Sequence, residues 1–135
     1  MEPRFLLDTN ICIYIRQKRP PEVLSRFEKL KAGEAVLSVV TFGELWYGAA
    51  KSSQRKIALE RLQGLISFLP VLPLPETAAK EYGEIRTALE ANGNVIGGND
   101  LWIASHAKAS RLILVTNNER EFARIPGLKL QNWAK

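Results

Sequence analysis

The stretch "RFLLDTNICIYI", residues 4–15, is apolar from Phe5 to Leu7, stops on a carboxylate at Asp8, and turns apolar again after Thr9 and Asn10. A short, unbroken apolar run suits a strand buried on both faces, as in a parallel sheet. The second apolar stretch reads as a helix, "ICIYIRQ", which the Pro20-Pro21 pair brings to an end. Asp8 then stands where a strand hands over to a helix. One reading makes it a helix N-cap, its side chain accepting a backbone N–H of the next turn. The other makes it a functional carboxylate, because open parallel sheets keep their sites beyond the carboxyl ends of the strands.

Working outward, the pattern of strand followed by helix repeats. "PEVLSRFEKLKAG" carries Val23, Leu24, Phe27 and Leu30 at helical spacing, with a proline to open it and Gly33 to stop it. "AVLSVV" (35–40) reads as a second strand, "TFGELWYGAAKS" as a third helix, and "QRKIALERLQGLISFL" as a fourth. "LPVLPLP" (69–75) is a short strand among prolines, which belongs at a sheet edge because proline cannot donate to a ladder. A long helix, "ETAAKEYGEIRTALEANG", ends at Asn92-Gly93. Then come a loop, "NVIGGND", a helix, "LWIASHAKAS", and a buried strand, "RLILVT" (111–116). "NNEREFARIPG" makes a turn and a short helix, and "LKLQNW" a last strand. The prediction is an α/β fold with a mainly parallel sheet in one domain, residues 1–135.

Composition narrows the class of function. An apolar content of 46% and a charged content of 24% are ordinary for a soluble globular protein. The single cysteine, Cys12, forms no internal disulfide and reads as a small core hydrophobe. "MEPRF" does not open a secretory leader, and no apolar stretch reaches the ~20 residues of a membrane span, so a cytoplasmic protein is expected. The net charge of +5 favours a polyanionic partner such as nucleic acid. The cations are nevertheless dispersed (Arg16, Lys18, Arg19; Lys51, Arg55, Lys56; Arg120, Arg124), so charge alone does not settle the matter.

Three acids fall at predicted helix openings, and each has an innocent account. Asp8 suits an N-cap; Glu44 closes a capping box in "TFGE" with Thr41 as N-cap; Asp100 follows a Gly-Gly pair where a helix dipole favours negative charge. Capping does not require that all three openings follow strands at the same rim of one sheet. Carboxylates converging there resist ionisation unless a cation sits among them. Oxygen ligands without Cys or His nearby select Mg²⁺, with Mn²⁺ able to substitute. A metal-bound water then serves as nucleophile, and phosphodiester hydrolysis becomes the natural chemistry for a basic protein with an acidic pocket. His106, six residues beyond Asp100, reads as a surface or packing residue; Trp46 and Tyr47 read as core or interface.

The segments "FLLDTNICIYI", "LSVVTFGELWYGA", "VIGGNDLWIASHA" and "LVTNNEREFARIPGLKLQNW" together resemble a PIN-domain ribonuclease, and most of all the VapC toxins of bacterial type II toxin–antitoxin modules. The resemblance covers nearly the whole chain in order. It implies a three-layer α/β/α sandwich, metal-dependent endonucleolytic cleavage of a structured RNA such as a tRNA, one or two Mg²⁺ ions, and inhibition by a VapB-type antitoxin. By position, Asp8, Glu44 and Asp100 match the three acids of the family, as catalytic and metal-binding residues. Thr9, Asn10 and Thr116 match neighbouring polar positions. Many PIN domains carry a fourth acid two residues after the strand-ending hydroxyl, where this chain has Asn118, with Glu119 and Glu121 close by as substitutes. Homodimerisation is implied too, with Trp46, Tyr47 and Ile57 as candidates, although a monomer core would use the same residues.

Two other classes compete. A non-catalytic RNA- or protein-binding module of PIN type draws support from Asn118. A receiver-like phosphotransfer domain would want an Asp at the end of its third strand, and "VLPLPE" has none there.

Overall fold

Phe5–Leu7 forms strand β1, and all three of its residues are buried. The computed structural model describes residues 2–135. After β1 come helices α1 (Thr9–Gln17) and α2 (Pro21–Glu28), strand β2 (Ala35–Ser38), and helices α3 (Val39–Ala50) and α4 (Arg55–Ile66). Strand β3 (Val71–Leu72), helices α5 (Thr77–Ala91) and α6 (Gly98–Ala109), strand β4 (Ile113–Val115), helix α7 (Glu119–Phe122) and strand β5 (Leu130–Gln131) complete the order. The sheet runs β3-β2-β1-β4-β5, and all of its pairings are parallel. The expected α/β class holds, and the proline-rich strand does lie at an edge.

Side-chain alternation along the central strands explains the three layers. Phe5 and Leu7 of β1, with Ala35 and Leu37 of β2, enter a core shared with Ile11, Val23, Leu45 and Leu62 of α1 to α4. Leu6 and Val36 point the other way, into a core built with Ile85, Leu89, Ile103 and Ala104 of α5 and α6. Both faces of the sheet are therefore covered, which is why these strands read as unbroken apolar runs rather than alternating ones. Leu6, Leu7 and Leu37 are wholly buried. Truncating any of them to Ala removes about 2–5 kcal/mol of stability.

Several boundaries differ from the sequence reading, each for a local reason. Strand β2 stops at Ser38 because the Ser38 hydroxyl accepts from the Val40 backbone N–H at 3.1 Å and caps α3. Val39 and Val40 are accordingly helical despite their β-branching, and Ser38 takes the capping place expected of Thr41. Helix α2 ends at Glu28, short of Gly33. Prolines confine β3 to two residues, although the Pro70 carbonyl still accepts from the Leu37 N–H at 2.9 Å. Strands β4 and β5 are likewise shorter than "RLILVT" and "LKLQNW". Helix α6 starts at Gly98, inside the expected loop. Asn92-Gly93 ends α5 as expected, with Gly93 at φ +69, a conformation that favours glycine.

Candidate active site at the carboxyl edge of the sheet

Asp8 follows β1 directly and is buried. The capping reading holds. Its Oδ1 accepts from the Ile11 N–H at 3.1 Å, so it does cap α1. Its Oδ2 accepts from the Thr116 hydroxyl at 2.5 Å, across 108 positions of sequence, which a cap does not need. Thr116 follows β4, the neighbour of β1, and its hydroxyl also accepts from the Asn118 N–H at 2.9 Å. Burial raises the Asp8 carboxyl above its ordinary range; hydrogen bonds from Thr116, Ile11 and Asn10 oppose this, and the charge of Glu44 adds to it.

Glu44 loses its capping role. With Ser38 as the N-cap of α3, Glu44 lies more than a turn inside the helix and is free for other partners. Its carboxylate accepts from the Thr9 hydroxyl at 2.6 Å and from the Asn99 amide at 3.4 Å. Thr9 is the first residue of α1 and Asn99 lies in the first turn of α6, so Glu44 joins three helix segments.

Asp100 stands in the first turn of α6. Its carboxyl is pushed up to about 7, first by burial, then by the charge of Glu121 and a hydrogen bond with it, and then by the charges of Glu44 and Asp8. The structure therefore gathers four carboxylates from four chain segments at one rim, and the other three make it harder for Asp100 to ionise. Glu121 also accepts from the Gly97 backbone N–H at 3.4 Å and from the Asn118 side-chain amide.

The neighbouring positions sort into two groups. Thr9, Thr116, Asn118 and Glu121 touch the acids or each other. Glu119 turns away: it pairs with Lys135 at 2.7 Å and accepts from Asn132 at 3.3 Å, and these partners hold its carboxyl below the usual range. Asn10 contributes its backbone N–H to Asp8, while its side chain is exposed. Asn99 is the residue that sequence reasoning passed over; its only signal was its place beside Asp100 in the first turn of α6.

His106 is buried rather than on the surface, and burial depresses its pKa. Cys12 is buried as expected, its thiol pushed well up by burial and by Asp8. Trp46, Tyr47 and Ile57 remain exposed, so they are surface rather than monomer core.

Among the described residues no three Asp, Glu, His or Cys side chains are grouped tightly enough, as they stand, to enclose an ion. Asp8 is drawn to Thr116 and Ile11, and Glu44 to Thr9 and Asn99. The chemistry of the donor set nevertheless fits a hard divalent cation: carboxylates, hydroxyls and amides, with mutual repulsion that a cation would relieve.

The PIN domain profile matches residues 5–128 of the chain. Ribonuclease VapC2 of Haemophilus influenzae is 42% identical over 130 residues, spanning 96% of this chain and 98% of that protein. A tRNA(fMet)-specific endonuclease VapC of Shigella flexneri is 42% identical over 131 residues, 97% of this chain and 98% of its own. Among crystal structures, VapBC2 of Rickettsia felis, bound to a DNA fragment from its promoter, matches with a TM-score of 0.90 and 40% identity over 98% of this chain and 99% of that one.

Proposed function

This chain belongs to the PIN-domain family, and we propose that, as a single PIN domain across its length, it is a metal-dependent endoribonuclease of VapC type. One observation carries the reading. Asp8, Glu44, Asp100 and Glu121 leave four separate segments and meet beyond the carboxyl edge of one parallel sheet, with the Asp100 carboxyl at about 7. Stability alone gives no reason to assemble like charges in this way. The relatives named above are ribonucleases, one of them specific for tRNA(fMet), so a tRNA is the substrate class proposed here.

In this reading Asp8, Glu44 and Asp100 hold Mg²⁺, or Mn²⁺ in its place. When bound there, such a cation would lower the pKa of a water and would offset charge on a phosphate. The protein's own groups do the remainder. Thr116 fixes the Asp8 carboxylate, and Thr9 and Asn99 fix that of Glu44, so the acids are oriented before substrate arrives. Glu121 occupies the place left by Asn118: it faces Asp100 and supplies the negative charge that an amide lacks. This supports the catalytic reading over a non-catalytic module, which drew its support from Asn118. A VapB-type antitoxin is the proposed protein partner, and the exposed Trp46, Tyr47 and Ile57 are the proposed homodimer surface.

The test is cleavage of bulk tRNA by antitoxin-free protein with Mg²⁺, with EDTA, and with an Asp8→Asn variant. Discrete fragments that require both the metal and Asp8 are expected. Equal cleavage in EDTA, or by a folded Asp8→Asn protein, overturns the metal-site assignment.

A further inference from the structure

A pocket of about 420 Å³ opens beside the acids, and Thr9 and Glu44 form part of its wall. Arg16 from α1 and Arg61 from α4 line the same pocket, together with the small residues Gly48 and Ala58. Neither guanidinium has an ion-pair or hydrogen-bond partner among the described residues. Gly48 is exposed and a side chain there would meet nothing within 4 Å, so the pocket is open to solvent at that point. Two cations, Arg16 half-buried and Arg61 exposed, thus line one recess with Glu44 and form no ion pair with it among the described residues.

We infer that Arg16 and Arg61 bind a backbone phosphate of the RNA next to the one being cleaved. The inference rests on the nuclease reading of the adjoining acids. A ribonuclease must hold its substrate against a rim of like charge. Two fork-shaped cations at a single recess do this with geometric specificity, because guanidinium matches phosphate bidentately. Thr9 and Glu44 line the same pocket, so a phosphate held by the arginines lies beside the acids. An acidic protein segment is the less suitable occupant, since its carboxylates would meet Glu44 without the repeating charge that carries RNA onward. Arg16 and Arg61 are thus positioning residues for the reaction, not catalytic ones.

The experiment reads binding separately from cleavage. Fluorescein-labelled bulk tRNA is titrated by anisotropy in EDTA against wild-type protein, Arg16→Ala, Arg61→Ala, their Lys counterparts, and Lys129→Ala. Lys129 precedes β5 at the opposite rim of the sheet and controls for loss of net charge alone. Each alanine variant is expected to weaken binding about five- to tenfold and to flatten the salt dependence by about 0.7 in log–log slope, the value for one phosphate contact on a single strand. The lysine variants recover part of this, and Lys129→Ala changes binding less than twofold. In Mg²⁺ the arginine variants raise KM with little change in kcat. Binding by the alanine variants equal to that of Lys129→Ala, from a wild type that does cleave, overturns the phosphate pocket and leaves the nuclease reading intact. A wild type that neither binds nor cleaves tRNA overturns both. Unchanged tRNA binding with weakened capture of an acidic peptide assigns the pocket to a protein and also overturns the inference.

Discussion

The two rims of the sheet treat their acids in opposite ways. At the amino rim Glu34, just before β2, receives a hydrogen bond from Arg4 at 3.1 Å and another from the Lys31 backbone N–H at 2.9 Å. Its carboxyl is held below the ordinary range, first by the Lys31 N–H and then by Arg4. At the carboxyl rim Asp8 and Asp100 are both held above it, by burial and by other carboxylates. The same strands supply both ends. One rim is arranged for stability; the other keeps like charges together at a cost in stability.

The largest expected effect is chemical. Asp8→Asn keeps a good N-cap, since Asn and Asp cap equally well. It should therefore fold, yet lose cleavage by at least ~100-fold, and Asp100→Asn should do the same; losses of this size follow when a preorganised charge is removed from a reacting centre. Fragment yield from tRNA, beside a circular dichroism spectrum, checks both variants. If capping were the sole role of Asp8, the Asn variant would cleave normally.

Next in size is the contrast between two glutamates on one short helix. Glu121 faces Asp100, whereas Glu119 pairs with Lys135. Glu121→Gln should lower cleavage roughly tenfold, a ~1.4 kcal/mol effect on the barrier. Glu119→Gln should leave cleavage within about twofold, because its interactions are exposed and worth little. Equal losses from the two substitutions would show that α7 contributes only general negative charge.

A stability effect of moderate size follows from Asp100. Its folded pKa of about 7 lies above the ordinary 3.8, so the folded state keeps a proton that the unfolded chain gives up first. Stability is therefore lost as pH rises from about 4 to about 7. Asp100→Asn, studied in EDTA, removes that loss. At pH 8 it should be more stable than wild type by about 1–2 kcal/mol, a figure reduced for the solvent that reaches this half-buried group. The gap should close as pH falls toward 4. Thermal melts across that range decide it, and a variant less stable than wild type at pH 8 contradicts the charge crowding.

Much of this contrast was legible in the sequence. Asp8 could be placed because a fully apolar strand must end somewhere polar, and the first polar residue of "FLLDTN" is the acid itself. Asp100 was placed by the glycines before it. Glu44 was identified with the wrong alibi: "SVVTFGE" offers Ser38 and Thr41, both good caps one turn apart, and only the end of β2 decides between them. The choice between Glu119 and Glu121 was not readable at all. In a four-residue helix the direction of each side chain depends on how the chain leaves Thr116, and that is set by hydrogen bonds to Asn118 rather than by periodicity. Asn99 was invisible for a similar reason, since its partner lies 55 positions away. The arginines of the pocket are 45 positions apart by number, and a scattered charge count could not bring them together.

The smallest effect belongs to the amino rim. Glu34 has a folded pKa below its unfolded value, so its contribution to stability is present above the unfolded pKa and is lost as pH falls through the folded one. Glu34→Gln should lower the melting temperature slightly at neutral pH, and that difference should fade as pH drops below about 4.5, where the unfolded carboxyl is protonated too. The Arg4 partner is largely exposed, which keeps the effect small. Cleavage should not change, because Glu34 lies a strand's length from the acids. The direction is the point of the measurement: neutralising an acid at this rim destabilises the protein, whereas neutralising Asp100 at the other rim stabilises it. If both substitutions moved the melting temperature the same way at pH 8, the two rims would not differ in the manner their hydrogen bonds and charges dictate.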